Sequence, residues 1–419
     1  MRSTLLRHGS RTPEYPVWQA EFGGIKKGGN KRMRTVIAFD AWKGSLSSLQ
    51  AGKAAAEGVK KGYPGAEVVV KTLADGGEGT VEVLTGGMGG RMERLTVTGP
   101  LGAPVSCMYG VLEATKTAVI EMAAAAGLTL VSEQERNPLI TTTYGVGEII
   151  ADAIQKGCRR FIVGIGGSAT NDGGVGMLQA LGFDFRDAEG KQIPFGAAGL
   201  EKLAEINAEH VISELRDCTF QVACDVKNPL CGPFGSSAVY GPQKGADAAA
   251  VERMDAWLSA YAKLAKRSFP RADSDMPGAG AAGGLGFAFY TFLNASLESG
   301  VSIILKETGL QEAVREADIV ITGEGRLDGQ TAMGKTPIGV ARLAKKYGKT
   351  VIAFAGSAAE DARICNESGI DAFFPVLRET LGLKEAMRPE CAAQNLTASV
   401  EQVFRLLHAA AGKQDSEKL

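Results

Sequence analysis

A chain of 419 residues with 46 Lys and Arg against 47 Asp and Glu has no basic excess to neutralise a nucleic-acid backbone or an anionic membrane surface, which leaves a small-molecule ligand as the expectation. Hydrophobic residues at 45% and charged residues at 22% can bury a normal core and exclude a disordered chain, and the length suits two domains with a cleft between them. Seven cysteines without a CxxC pair read as reduced thiols, and His8, His210 and His408 leave almost no raw material for a His-centred triad or metal site, so catalysis must lean on Asp, Glu, Lys and Arg.

Residues 1 to 32 are rich in Arg, Gly and Lys, show neither helix nor strand period, and lack the apolar run of a signal peptide; they read as a disordered or mis-started extension, and the protein as cytoplasmic. From Arg34 the pattern is βαβα. Strand TVIAF leads to a helix with an apolar stripe at Leu49, Gly52, Ala56 and Val59, opened by a capping box of Ser47 and Gln50. Strand EVVVKTL follows, and ADGGEG opens another helix near Gly77. From about Arg91 short strand-like runs between Gly and Pro turns read as antiparallel sheet and a second domain. A helix near Gly147 to Lys156, strand RFIVGI, strand FQVACD and a long helix over roughly Ala246 to Lys266 make that domain mixed α and β. Met276 to Leu297 is uncharged, but its five glycines and few large apolar residues argue against a membrane span. After Gly300 the βα alternation returns with LQEAVREA, DIVITGEG, TVIAFAG and DAFFPV, and a last helix carries its stripe at Leu396, Val400, Val403, Phe404 and Leu407. The outer parts, 33–91 and 298–412, therefore form one parallel α/β sheet domain, 92–297 is inserted with hinge crossings near 91 and 298, and 413–419 is a polar tail.

Strand RFIVGI runs into GGSATNDGG and then a helix, so backbone N–H groups and a helix N-terminus point the same way and form an anion site. Gly166, Gly167, Gly173 and Gly174 let backbone approach a phosphate, Ser168, Thr170 and Asn171 can donate hydrogen bonds, and Asp172 can hold Mg2+; the bland reading is a tight turn capped by Asn171 or Asp172. ADGGEG puts Asp75 at a strand's C-terminal end and Glu78 in the first helical turn, either as ligand contacts or as helix-capping charge. Lys43, Ser45 and Ser47 follow the strand ending at Asp40, where a lysine suits carboxylate or phosphate. Asp225 ends strand FQVACD as a candidate base or magnesium ligand, and Lys244 lies between two glycines as a phosphate contact or a solvated lysine. Glu324, Arg326 and Asp328 crowd one strand end, where Arg326 can clamp a carboxylate. GQTAMGKT (329–336) matches the P-loop spelling, yet six residues part it from its strand, and GAGAAG (278–283) follows no strand and reads as a glycine turn feeding a helix.

Taken in order, DAWKGSLS, LADGGEGT, GIGGSATNDGG, ACDVKNPL, GPQKGA, PGAGAAGG and TGEGRLDGQ with GKTPIGVA resemble the type 1 glycerate kinase family over about Met33 to Ala410. The resemblance implies phosphoryl transfer from ATP with Mg2+ to glycerate, usually giving 2-phosphoglycerate, and a flavodoxin-like domain carrying an inserted mixed α/β domain. Ala41 stands where that family usually has a hydroxyl residue, and residues 1 to 32 have no counterpart. On this reading the 166–174 loop and Lys244 hold the ATP phosphates, Asp172 or Asp225 binds Mg2+, and Asp225 or Asp328 takes the hydroxyl proton. Lys43, Ser45, Asp75, Glu78 and Arg326 bind substrate. A kinase of another small hydroxy acid, an NAD-type oxidoreductase and a non-catalytic organic-acid sensor are the rival readings; a homodimer is allowed.

Overall fold

The computed structural model describes residues 32–73 and 80–416, so the expected extension at 1–31 and the helix start at Gly77 lie outside the described residues. In chain order the strands are β1 Arg34–Phe39, β2 Glu67–Val70, β3 Arg91–Thr98, β4 Pro104–Leu112, β5 Thr117–Glu121, β6 Arg160–Gly164, β7 Asp184–Arg186 and β8 Glu205–Asn207. They continue as β9 Thr219–Ala223, β10 Ser296–Glu298, β11 Ile319–Gly323, β12 Arg326–Leu327, β13 Thr350–Ala355, β14 Ser357–Ala358 and β15 Ala372–Pro375.

Five of them form an all-parallel sheet in the order β15-β13-β11-β1-β2. Such a sheet is covered by helices on both faces, which is why TVIAF and IVITG are continuous apolar runs with every residue buried. Counted by order of appearance the strands read 2-1-3-4-5, the flavodoxin-like arrangement. Helices Ser48–Gly62 and Pro389–Ser416 cover one face, where Ile37, Phe39, Ile321 and Phe354 meet Leu396, Val400 and Phe404. The last helix keeps its expected stripe and runs on to Ser416, into the expected tail.

The intervening chain builds a six-stranded sheet, β10-β9-β6-β5-β4-β3. The antiparallel expectation holds for β3, β4 and β5 only; β5, β6, β9 and β10 run parallel, because helices and long loops return the chain to the same edge between them. One core cluster fills this half, and another joins the sheets by packing Val36, Val320 and Val351 with Leu112, Val119, Ile162 and Ala223. Among the described residues no helix is long and apolar enough to cross a membrane; Met276–Leu297 contains the helix Ala281–Phe292, whose start bends through left-handed Ala282, Gly283 and Gly284.

The first helix begins with the capping box expected: Gln50 N donates to Ser47 Oγ at 3.2 Å and Ser47 N to Gln50 Oε1 at 2.9 Å. Its buried stripe differs from expectation. Leu49 is 45% exposed, and the inward face is Ala51, Gly52, Ala55, Gly58, Val59 and Gly62. Small residues win that face because the last helix presses against it: a Cβ on Gly58 would stand 2.4 Å from Thr397 O, and one on Gly62 2.5 Å from Glu401 O. Gly58→Ala should therefore destabilise by about 1–3 kcal/mol through overpacking, although alanine gains about 1 kcal/mol of helix propensity. Urea unfolding checks this, and an unchanged or raised midpoint contradicts the close contact.

Candidate active site

Strands β1 and β11 are neighbours whose connections leave in opposite directions, β1 towards β2 and β11 towards β13. Ligands of open parallel sheets bind at the carboxyl ends of the strands at such a switch point. Here those ends deliver Asp40 and Glu324. Asp40 is 4% exposed, with its Oδ1 accepting from Ala41 N at 2.7 Å, while Glu324 Oε1 accepts from Thr331 Oγ1 at 2.6 Å. Burial pushes the Glu324 carboxyl above its ordinary range, while Thr331 and Lys335 pull it back.

Above these acids opens a cavity of about 1040 Å³ lined from both sheets. The parallel sheet contributes Asp40, Lys43, Ser45, Glu324, Arg326, Asp328 and Lys335; the ends of β9 and β10 contribute Asp225, Lys227 and Glu298. The C-terminal edges of both sheets thus face one space. Asp225 Oδ1 accepts from Gly300 N at 3.1 Å at the start of helix Gly300–Glu307, which orients the carboxylate. Asp328 Oδ1 accepts from Thr331 N at 3.1 Å and caps helix Gly329–Ala332. Acids beside exposed lysine and arginine can bind an anionic substrate and accept a proton from it.

Of the residues expected from sequence, the cavity brings together Lys43, Ser45, Asp225, Arg326 and Asp328. Asp75 and Glu78 lie outside the described residues. The glycine loop lines none of the described cavity wall. Gly166 and Gly167 are exposed, but Ser168, Thr170, Asn171 and Asp172 turn inward. Asn171 pairs with Ser236 and Ser237. Asp172 accepts from Thr143 N and Thr143 Oγ1 at 2.8 Å, Gly174 N at 3.0 Å and Gly176 N at 3.3 Å. These donors offset the desolvation of a fully buried carboxylate and make it an anchor of the loop, where the sequence suggests a magnesium ligand. Gly173 and Gly174 adopt φ of 66° and 75°, and a Cβ on Gly283 would stand 2.0 Å from Thr170 O, so the second glycine motif packs backbone against the first. Lys244, expected as a phosphate contact, is 1% exposed and donates to Ser168 Oγ at 2.8 Å and Thr170 O at 2.6 Å.

Three residues matter more than their sequence signal suggests. Asp40 and Glu324 become neighbours only through the pairing of β1 with β11. Lys335, in the motif that fails as a P-loop, reaches the cavity because helix Gly329–Ala332 folds the chain back towards the strand end. Its Nζ lies 3.9 Å from both Glu324 Oε2 and Asp328 Oδ1. Among the described residues no group of three or more His, Cys, Asp or Glu is placed to hold a metal ion.

Burial lowers the Lys244 pKa from 10.5 to about 7, opposed by the nearby Asp172 charge. Below about pH 7 the ammonium is charged in folded and unfolded chains and its burial cost is fully present. Between about 7 and 10.5 the unfolded chain keeps a proton that the folded chain releases, so stability rises with pH, by at most about 1.4 kcal/mol per unit. Urea unfolding at pH 6.5, 8 and 9 should show wild type gaining stability relative to Lys244→Met as pH rises; parallel trends rule out a titrating buried ammonium.

Residues 35–408 match the model of the glycerate kinase family. The chain is 46% identical over 375 residues to a glycerate kinase of Haemophilus influenzae, covering 90% of this chain and 99% of that one. It is 47% identical over 356 residues to a glycerate 2-kinase of Escherichia coli K12, covering 85% and 93%. A crystal structure of a candidate glycerate kinase 2 from Salmonella typhimurium LT2 superposes with a TM-score of 0.84 at 45% identity, covering 92% of this chain and 100% of that one. With a flavodoxin-like sheet, an inserted mixed sheet and a charged cavity between their carboxyl edges, the chain belongs to the glycerate kinase family.

Proposed function

We propose that the protein transfers the γ-phosphoryl group of ATP to the 2-hydroxyl of glycerate, giving 2-phosphoglycerate, in the cytoplasm and as a monomer or homodimer. The observation that carries this reading is the cavity itself. It combines acids able to take a hydroxyl proton with cations able to hold a carboxylate and phosphates, at the edge where such sheets bind ligands.

Phosphoryl transfer needs alignment and charge neutralisation more than covalent chemistry. Lys43 and Arg326, both exposed on the cavity wall, hold the glycerate carboxylate, Arg326 in a bidentate fork, with Ser45 beside them. Asp75 and Glu78 remain proposed substrate contacts. Asp225 or Asp328 accepts the proton of the attacking hydroxyl. Asp225 is also the carboxylate that would hold Mg2+ arriving with ATP, because phosphate oxygens complete the shell of this ion and it needs only one or two protein carboxylates; the ion supplies neutralisation of the phosphate charge. In the glycine loop, Gly166 and Gly167 are the exposed backbone through which a phosphate contact would run. We further propose that 33–91 with 298–412 acts as one domain and 92–297 as the other, closing over the reactants to keep water from ATP.

A coupled assay should show ADP release that requires both ATP and glycerate, with phosphorus NMR identifying 2-phosphoglycerate. Turnover of a different hydroxy acid alone, a nicotinamide absorbance change, or glycerate binding without turnover would each replace this reading. Asp225→Asn and Asp328→Asn separate the two acids. Loss of the general base should lower kcat by about 10²–10⁴-fold. The variant that keeps near wild-type turnover is not the base. Asp328→Asn is also expected to shift stability only slightly, since asparagine caps helices about as well as aspartate.

A further inference from the structure

The sequence from Gly329 to Thr336 spells a P-loop without having P-loop geometry, yet the structure turns it towards the cavity. Helix Thr336–Lys346 begins there, with Lys335 at its N-cap, no side-chain cap on its first amides and no acid in its first turn. A helix N-terminus favours anions, but three further observations lie beside this one. Lys335 is on the cavity wall, and its ammonium stands 3.9 Å from each of two carboxylates, beyond hydrogen-bond length, so its donors remain available to a ligand. Gly334 adopts φ of 118° with open space where a Cβ would point, so a ligand can approach the backbone closely. Met333, 86% exposed, also lines the cavity, and of the reactants only the nucleotide carries an apolar ring to cover it.

We propose that Gly334, Lys335 and Thr336 form the cradle for the terminal phosphates of the nucleotide, with Met333 against its base; this rests on the kinase reading above. Lys335 supplies the positive charge, and the helix start supplies backbone donors. Glu324 and Asp328 repel phosphate while holding the lysine, so the phosphates approach from the helix side. A glycerate carboxylate would satisfy the same cations, and the two sources are distinguishable.

The test measures binding of a non-hydrolysable ATP analogue by calorimetry without glycerate, alongside KM for both substrates. Lys335→Met should weaken the analogue about tenfold or more and leave the glycerate KM within about twofold, with Lys335→Arg recovering part of the loss. Unchanged analogue affinity in Lys335→Met overturns the proposal, as does a rise in glycerate KM alone. Failure of the wild type to phosphorylate glycerate would sink the kinase reading instead, because the analogue-binding arm needs no turnover.

Discussion

The parallel pairing of β1 with β11, Thr35 beside Ile319 through Phe39 beside Gly323, is the constraint on which the rest of the molecule depends. It joins segments 284 residues apart, reinforced by Arg34 N donating to Asp318 Oδ2 and Thr322 Oγ1 to Ala38 O. Because both strands are buried on both faces, the register cannot slip without exposing apolar side chains or burying polar ones. That register sets Asp40 and Glu324 side by side, creates the switch point, and makes the six-stranded sheet an insertion. Without it the acids would be distant residues with no common chemistry.

A second economy lies in how polar groups are divided between the two glycine-rich regions. The loop after β6 spends its Ser168 hydroxyl, Asn171 amide and Asp172 carboxylate internally: Asp172 gathers amides from two segments, and Lys244 ties Ser168 Oγ to the Thr170 carbonyl. The cavity keeps its charges outward on short loops. Hydrogen bonding inside a protein offsets the cost of burying such groups, so the buried loop and the open cavity are opposite uses of the same residue types.

Much of the architecture was legible because it rests on local signals. Continuous apolar runs marked β1, β11 and β13, the Ser47–Gln50 pair marked the start of a helix, and the last helix announced its face by spacing alone. The spacing misplaces the first helix's face at Leu49 because that face is set by contact with residues about 340 positions away, which admits glycine and alanine in preference to leucine. Placement at the cavity was legible where a strand end dictates exposure, as at Asp225 and Arg326. It was not legible in the glycine loop, since glycine, serine and aspartate suit a phosphate cradle and a buried turn equally well. Lys335 was discounted for its distance from a strand along the chain, a distance that a four-residue helix removes.

The first helix and the last one meet through Gly58 and Gly62, so the face of the five-stranded sheet that carries Ile37 and Phe39 is only part covered, by the first helix, until residues 389–416 are made. At ribosomal speeds of about 5–20 residues per second, the part of that face on β1 and β2 waits on the order of tens of seconds after those two strands emerge. The inserted half closes its sheet and its own core entirely from residues 91 to 298 and has no such delay. The order of synthesis therefore favours an insertion that folds first and a surrounding half that is completed last, with Leu396, Val400 and Phe404 as the closing clasp and nascent-chain holdases as natural guardians of the interval.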